Sequence, residues 1–252
     1  MTESATSFNR ALYDDFWRSC PDFSRYNPGV LHRRRAIRKL LESIRFKSLL
    51  DVGCGDAQLL YWLRGEGVSR DAELTGCDLS PETVETNRVR HPFASFHVLD
   101  LETAPLARTF DAVICTEVIE HIENQAAAMR NLAQMVAPGG HLIVTCPTGK
   151  VHATERHFGH VRHPRPQELA GLLEGAGLEV VSLQNWGFPF YVALKHLTNL
   201  NADWALKNFG AKEYSPAARM VSKALYHVNH LNLSSSRPGC QLFALARRAP
   251  GA

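Results

Sequence analysis

The chain has 252 residues, with 28 Lys and Arg against 25 Asp and Glu, a net charge of +3 and 45% hydrophobic residues. That length suits one α/β domain with an accessory segment, and so small a charge surplus excludes a surface built to coat nucleic acid or membrane. Apolar stretches such as Phe188 to Leu194 fall far short of the ~20 residues that cross a bilayer, which excludes a spanning helix.

The first residues, MTESATSFNR, carry neither a basic region before an apolar run nor a small-residue cleavage site. A secretory signal is therefore not expected, and a soluble, cytoplasmic protein is. Cys20, Cys54, Cys77, Cys115, Cys146 and Cys240 are scattered without a C-x-x-C pair. They read as small buried apolar residues, not as a disulfide framework or a zinc site.

In chain order, Tyr13, Phe16, Trp17 and Tyr26 mark an aromatic N-terminal region, read as a helical lid over residues 1–45. The spacing predicts a helix over Leu31 to Ile44, apolar at Leu31, Ala36, Ile37, Leu40, Leu41 and Ile44, with its basic face in solvent. Seven strand candidates follow: Ser48 to Val52, Glu73 to Cys77, Ser95 to Leu99, Asp111 to Cys115, His141 to Cys146, Leu178 to Leu183 and Gln241 to Ala246. Helical patterns alternate with them, the signature of a doubly wound α/β sheet. Ser80-Pro81 opens one helix with a capping hydroxyl and a first-position proline. Pro138-Gly139-Gly140 is read as the stop of a helix from about Gln125 to Val136, and Pro166 opens another. Residues 187–238 form a long connection with helical patterns at Phe190 to Phe209 and Pro216 to Leu231, read as a folded cap at the carboxyl edge of the sheet.

The chemistry-bearing residues lie at the strand ends. Leu49-Leu50-Asp51-Val52-Gly53-Cys54-Gly55 runs an apolar strand into a Gly-x-Gly turn, where main-chain N–H groups are open to a ligand. Gln58 stands where a dinucleotide fingerprint would carry a third glycine, so the ligand is expected to lack a pyrophosphate. Asp78 ends the second strand, where a carboxylate can accept both hydroxyls of a ribose. Asp100 ends the third and could take the exocyclic amine of an adenine, with Leu79 and Leu101 against the ring.

The succession LLDVGCGDA, GCDLS, VLDLE, FDAVICTEVIEHI and APGGHLIVTCP, in this order and spacing, resembles the class I S-adenosylmethionine-dependent methyltransferases, in particular their small-molecule, ubiquinone-type O-methyltransferase branch. The resemblance covers roughly Arg45 to Leu183. It implies a seven-stranded sheet in the order 3-2-1-4-5-7-6, the last strand antiparallel, with a helical insertion between strands six and seven. It also implies S-adenosyl-L-methionine as cofactor and S-adenosyl-L-homocysteine as product. Asp51 and the turn Gly53, Cys54 and Gly55 would face the methionine part, Asp78 the ribose, and Asp100 and Leu101 the adenine, with Leu79 beside it. Carbonyls at Cys115 or Thr116 would receive the ammonium.

Glu117, Glu120 and His121 are spaced to share a face if helical, and His152, His157, His160 and His163 crowd the loop after strand five. Glu-x-x-Glu-His resembles a divalent-metal pattern of two methyltransferase groups, but first-turn acids are favoured by the helix dipole alone, and no metal ligand is assigned. His121 and His160 are the candidates for base or orienting group, because imidazole titrates near neutrality, while His152 and His157 read as surface. The expected activity is methyl transfer to a small molecule, most readily at a hydroxyl. The competing readings are a metal-dependent RNA 3′-terminal 2′-O-methyltransferase and a non-catalytic cofactor-binding scaffold. The low charge and the aromatic cap disfavour RNA, and no DNA or membrane partner is expected. The oligomeric state is not legible in the sequence.

Overall fold

The computed structural model describes residues 5–20, 22–201, 213–234 and 239–251. Three helices precede the sheet: α1 (Ala5–Ser19), the short α2 (Phe23–Tyr26) and α3 (Pro28–Glu42). Asn27 starts α3 by accepting the N–H groups of Gly29 at 2.9 Å and Val30 at 3.2 Å, with Pro28 fitting the first turn because it has no N–H to satisfy. The helix thus begins three residues before the apolar spacing predicted and ends two before.

The sheet and its crossovers alternate as β1 (Ser48–Val52), α4 (Gln58–Gly65), β2 (Glu73–Asp78), α5 (Pro81–Arg90), β3 (Ser95–Val98) and β4 (Phe110–Thr116). After a single 3₁₀ turn at Ile119–His121 come α6 (Gln125–Met135), β5 (Val136–Pro147), the short α7 (Ala153–His157), α8 (Pro166–Gly175) and β6 (Leu178–Phe188). The cap contributes α9 (Phe190–Leu200) and α10 (Pro216–Asn229), and the chain closes with β7 (Leu233–Ser234) and β8 (Gln241–Arg248). Trp204 and Phe209, expected in the first cap helix, lie outside the described residues.

The hydrogen-bonded order is β3-β2-β1-β4-β5-β8-β6-β7. It is the expected seven-stranded order, with the last long strand antiparallel between its neighbours and the two-residue β7 added at the edge. Leu49, Leu50, Val113, Ile114, Leu142 and Ile143 are fully buried, as central strands covered by helices on both faces must be. Ser80 Oγ accepts the Thr83 N–H at 2.9 Å and starts α5 as its sequence predicts. Pro138-Gly139-Gly140 does not stop a helix, however, because α6 has ended at Met135 and β5 begins at Val136. Gly140 serves close packing instead: a Cβ there would meet the carbonyl oxygens of Ala137 and Asp111 at 2.9 Å.

The register aligns the strand tips. Asp51 sits opposite Gly76 and Ile114, and Thr116 opposite Thr145, so the carboxyl ends of β1, β2, β4 and β5 open on one edge. The antiparallel β8 starts at that same edge, with Gln241 opposite Pro147. The N-terminal and cap segments meet above it: Asp22 accepts the Tyr214 N–H at 2.9 Å and pairs with Arg219 at 3.1 Å, and Asn229 Nδ2 donates to the Pro28 carbonyl at 3.4 Å. Among the described residues, no helix is long and apolar enough to cross a membrane.

Candidate active site

A cavity of about 880 Å³ lies over the strand tips, roofed by α1, α3, α9 and α10. Its floor at one end is the turn after β1. Gly53 and Gly55 take φ of +71° and +50°, in the left-handed region that a Cβ disfavours. A Cβ on Gly53 would collide with Val118, and one on Gly55 would come 2.5 Å from the Trp17 indole. The turn is held from below by Asp78, whose Oδ2 accepts the Gly55 N–H at 2.9 Å and whose Oδ1 accepts the Ser80 N–H at 3.0 Å. Ser80 in turn donates its hydroxyl to Asp14 of α1, which ties the N-terminal helix to the second strand.

Asp51 is 1% exposed, and its Oδ1 meets no hydrogen-bond partner among the described residues. Burial, reinforced by Asp78 and Asp56 and opposed by Arg34, pushes its carboxyl up to about 8. A carboxylate in that state gains from an incoming cation. Arg34, 7% exposed on α3, is the nearby buried cation of this end, and Asp56 accepts the Ser24 hydroxyl at 2.5 Å. Asp100 and Leu101 close the far side, where Asp100 Oδ1 accepts the Glu102 N–H at 3.0 Å. S-adenosylmethionine carries an ammonium, a carboxylate, a ribose diol and an adenine. An orphaned acid, a buried guanidinium, a strand-tip acid with lone pairs to spare and an acid beside leucine match those four groups.

The other end of the cavity is aromatic and imidazole-rich. Tyr13 packs edge-on against Phe16 at 6.1 Å and against His121 at 5.4 Å, and Phe16 reaches Phe158 at 5.8 Å. The Tyr13 hydroxyl lies 3.2 Å from His121 Nε2 and donates to the Phe158 carbonyl at 3.3 Å. His160 stands 4.6 Å from His121 between ring centres, and its Nδ1 is 2.8 Å from His163 Nε2. Burial drives all three rings towards the neutral form, His121 and His163 down to about 4 and His160 to about 2. Glu120 is fully buried, and neither carboxylate oxygen meets a hydrogen-bond partner from another described residue. Burial, aided by the charge of Glu117, holds its carboxyl well above the usual range.

The expected common face of Glu117, Glu120 and His121 is not formed. Glu117 takes a left-handed φ of +56° ahead of a one-turn 3₁₀ segment, so the three positions are not stacked on a helix. Its Oε1 accepts from Thr145 Oγ1 at 3.0 Å and Gln241 Nε2 at 2.7 Å, and its Oε2 faces Arg33 at 3.5 Å. Glu120, His121 and His160 do bring one potential ligand atom each within 4.8 Å of one another. A cation there would meet one carboxyl and two imidazoles, without the second carboxylate of the sequence pattern.

Of the sequence-predicted residues, Asp51, Gly53, Cys54, Asp78, Leu79, Asp100, Leu101 and Thr116 border the cavity, as do His121 and His160. Gly55 sits just beneath it under Trp17, and Cys115 is fully buried in the sheet. Sequence reasoning missed Arg33 and Arg34, which it left in solvent. Arg34, Ile37 and Leu41 are spaced by three and four and are the buried stripe of α3, so the arginine's register on the apolar face was the signal. Sequence reasoning named His163 in the histidine-rich loop without giving it a role; the residue is buried, and its Nε2 lies 2.8 Å from His160 Nδ1 three positions earlier. It missed Glu155 and Lys195, which form an ion pair at 2.7 Å between α7 and α9, segments too far apart in the chain to leave a local spacing to read.

A family model described as a methyltransferase domain matches residues 29–183, more than half of the chain. The chain is 32% identical over 121 residues to a ubiquinone biosynthesis O-methyltransferase of Alkalilimnicola ehrlichii, a stretch that covers 42% of this chain and 44% of that protein. It thus spans about half the length of that curated relative. Among solved structures, the N-methyltransferase NodS of Bradyrhizobium japonicum superposes with a TM-score of 0.57 at 20% identity, covering 94% of this chain and 98% of that one. Phosphoethanolamine N-methyltransferase 2 of Haemonchus contortus gives 0.64 at 15% identity over 98% of this chain and 60% of its own. At these identities the two structures speak for the fold alone.

Proposed function

The chain belongs to the class I S-adenosylmethionine-dependent methyltransferases, and on that premise we propose that it methylates a hydroxyl of a small molecule enclosed beneath α1, α9 and α10. The observation that carries this reading is the continuity of one cavity from the strand-tip acids to an aromatic chamber whose junction holds neutral imidazoles. The relatives named as ubiquinone biosynthesis O-methyltransferases favour oxygen as the acceptor atom. Residues 1–45 act as the lid and residues 187–238 as the cap in this proposal, joined through Asp22 and Arg219.

The bound cofactor supplies a methyl group already activated on a sulfonium. The protein then has to align the acceptor, exclude water and remove one proton. Asp51 and Arg34 hold the methionine end, with the Thr116 carbonyl beside the ammonium. Asp78 takes the ribose hydroxyls, and Asp100 with Leu79 and Leu101 the adenine. Trp17, lying over Gly55, and Tyr13 shut the mouth. His121 is held between Tyr13 and the Gly159 carbonyl and orients the chamber wall. His160 is the proton acceptor. A hydroxyl becomes strongly acidic as its oxygen takes on a methyl group, so a weakly basic imidazole suffices.

Charge pairing supports a small, weakly charged acceptor over RNA. Arg33 faces Glu117 at 3.5 Å and Lys195 pairs with Glu155 at 2.7 Å, so the cations at the acceptor end are already matched by acids. The test is a panel of phenols, catechols, sugars and amines incubated with the full chain and S-adenosylmethionine carrying a deuterated methyl, read by mass spectrometry. Label on the oxygen of a phenol, catechol or sugar is the expected outcome. Label confined to amines overturns the hydroxyl assignment.

A further inference from the structure

We infer that Glu120 is the counter-charge of the methyl-transfer step, its carboxylate facing the positive charge that arrives on the sulfonium of S-adenosylmethionine. This role rests on the proposed reading in one respect, the place of the reacting atoms beside His160.

Glu120 is fully buried and borders the cavity, and neither carboxylate oxygen meets a hydrogen-bond partner from another described residue. A buried carboxylate in that condition is costly until a cation joins it. The nearby cations are engaged with other acids: Arg33 faces Glu117 at 3.5 Å, and Lys195 pairs with Glu155 at 2.7 Å. Glu117 is further served by Thr145 Oγ1 at 3.0 Å and Gln241 Nε2 at 2.7 Å. Glu120 has no such set of donors among the described residues.

Backbone bonds hold the residue where it is. The Glu120 carbonyl accepts the Val161 N–H at 2.8 Å and the Arg162 N–H at 3.3 Å. Gln125 Nε2 donates to the carbonyls of Ile119 at 2.9 Å and Arg162 at 3.2 Å. The 3₁₀ turn is thereby tied to the segment that carries His160, and one polar side-chain atom each of Glu120, His121 and His160 lies within 4.8 Å of the others.

The reaction brings a cation to this carboxyl and keeps one there. An acceptor hydroxyl within hydrogen-bond reach of His160 and about 3–3.5 Å from the methyl carbon puts the sulfonium one bond farther on. On transfer, the carbon–sulfur bond breaks with its electron pair going to sulfur, the acceptor oxygen bonds the methyl carbon, and the hydroxyl proton passes to His160. The positive charge has then moved from sulfur to imidazolium, and the products are the methyl ether and neutral S-adenosylhomocysteine. Glu120 stands beside both places, closed off from water, where a charge acts across several ångströms without contact.

The test compares ligands that differ in charge at the sulfur position. The full chain, in buffer with a chelator so that no divalent cation takes the place, is titrated calorimetrically with S-adenosylmethionine, S-adenosylhomocysteine and sinefungin. Sinefungin carries an amine-bearing carbon in place of the methylated sulfur and is cationic there. The wild type should bind the two cationic ligands about tenfold more tightly than S-adenosylhomocysteine. Glu120→Gln and Glu120→Met should lose most of that preference while holding S-adenosylhomocysteine within about threefold of wild type. Glu120→Met, which removes the unmatched carboxyl at similar volume, should also raise the thermal midpoint of the ligand-free chain. A wild type that binds S-adenosylhomocysteine as tightly as the cationic ligands overturns the inference, as do variants that keep the preference or weaken all three ligands alike. A Glu120→Met chain that is less stable than wild type, or does not fold, also overturns it, because the carboxyl is then a structural one. A panel that yields only amines rejects the hydroxyl reading, whereas the charge preference is measured without any acceptor and decides the role of Glu120 separately.

Discussion

At the cofactor end of the cavity, Asp51, Gly53, Asp78 and Asp100 come from the tips of three successive strands, each set by its own strand-and-turn sequence. At the acceptor end, Tyr13, His121, His160 and Tyr191 come from four segments that meet only because α1 and the cap fold over the sheet. The first end is positioned by backbone register, and its acids take main-chain N–H groups: Asp78 those of Gly55 and Ser80, Asp100 that of Glu102. The second is positioned by ring against ring and ring against carbonyl, as in Tyr13 with His121 and His121 with His160. Local register places the cofactor end, and in the proposed reading chemistry and acceptor choice fall to the end assembled from distant segments.

If that division is right, the two ends can be broken separately. The largest effect is expected from His160→Ala, which should lower kcat by roughly 100-fold or more, the usual scale for a lost proton acceptor. The same variant should keep the full rise in thermal midpoint on adding S-adenosylhomocysteine. A loss of that rise would show that the two ends are not independent. Asp78→Ala should do the converse, weakening S-adenosylhomocysteine binding by on the order of 30- to 100-fold, because both the ribose acceptor and the support of Gly55 go with it. Isothermal titration measures this, and an affinity within about threefold of wild type would remove Asp78 from the site.

The same contrast explains what could be read in the sequence. The Gly53 to Gly55 turn, the capping of α5 by Ser80 and the strand-tip acids are local patterns, and each appears where its spacing puts it, while the strand order is the one the family resemblance implied. Glu117 was misread because the spacing to Glu120 and His121 presumed a helix, whereas the chain turns through a left-handed residue and a single 3₁₀ turn. β6 runs on to Phe188, beyond its predicted end at Leu183, since Trp186 is buried and stacks on His32 at 3.8 Å between ring centres. That stack depends on α3, more than a hundred residues earlier in the chain, so nothing in the strand's own sequence announces it. The Glu155–Lys195 pair, which joins α7 to α9, was out of reach for the same reason.

The subtlest way to sharpen the comparison uses Asp51, whose buried Oδ1 meets no hydrogen-bond partner among the described residues. Its carboxyl is raised from 3.8 to about 8, chiefly by burial, so the folded chain holds a proton there that the unfolded chain releases above pH 3.8. The unfolded state then binds fewer protons, so Asp51 makes the ligand-free chain progressively less stable as pH rises from 3.8 to about 8, and the penalty is constant beyond that. An ammonium placed beside it stabilises the ionised form, so binding expels the proton below pH 8 and needs no expulsion above it. S-adenosylhomocysteine should therefore bind a few-fold more tightly per unit between about pH 6 and 8 and level off above, with a proton released to buffer at the lower end. Asp51→Asn carries no such proton and should flatten the profile while weakening binding at pH 8. Calorimetry in two buffers of different ionisation enthalpy reads both effects, and an undiminished slope in Asp51→Asn would move the pH sensitivity to another group and leave Asp51 a purely structural acid.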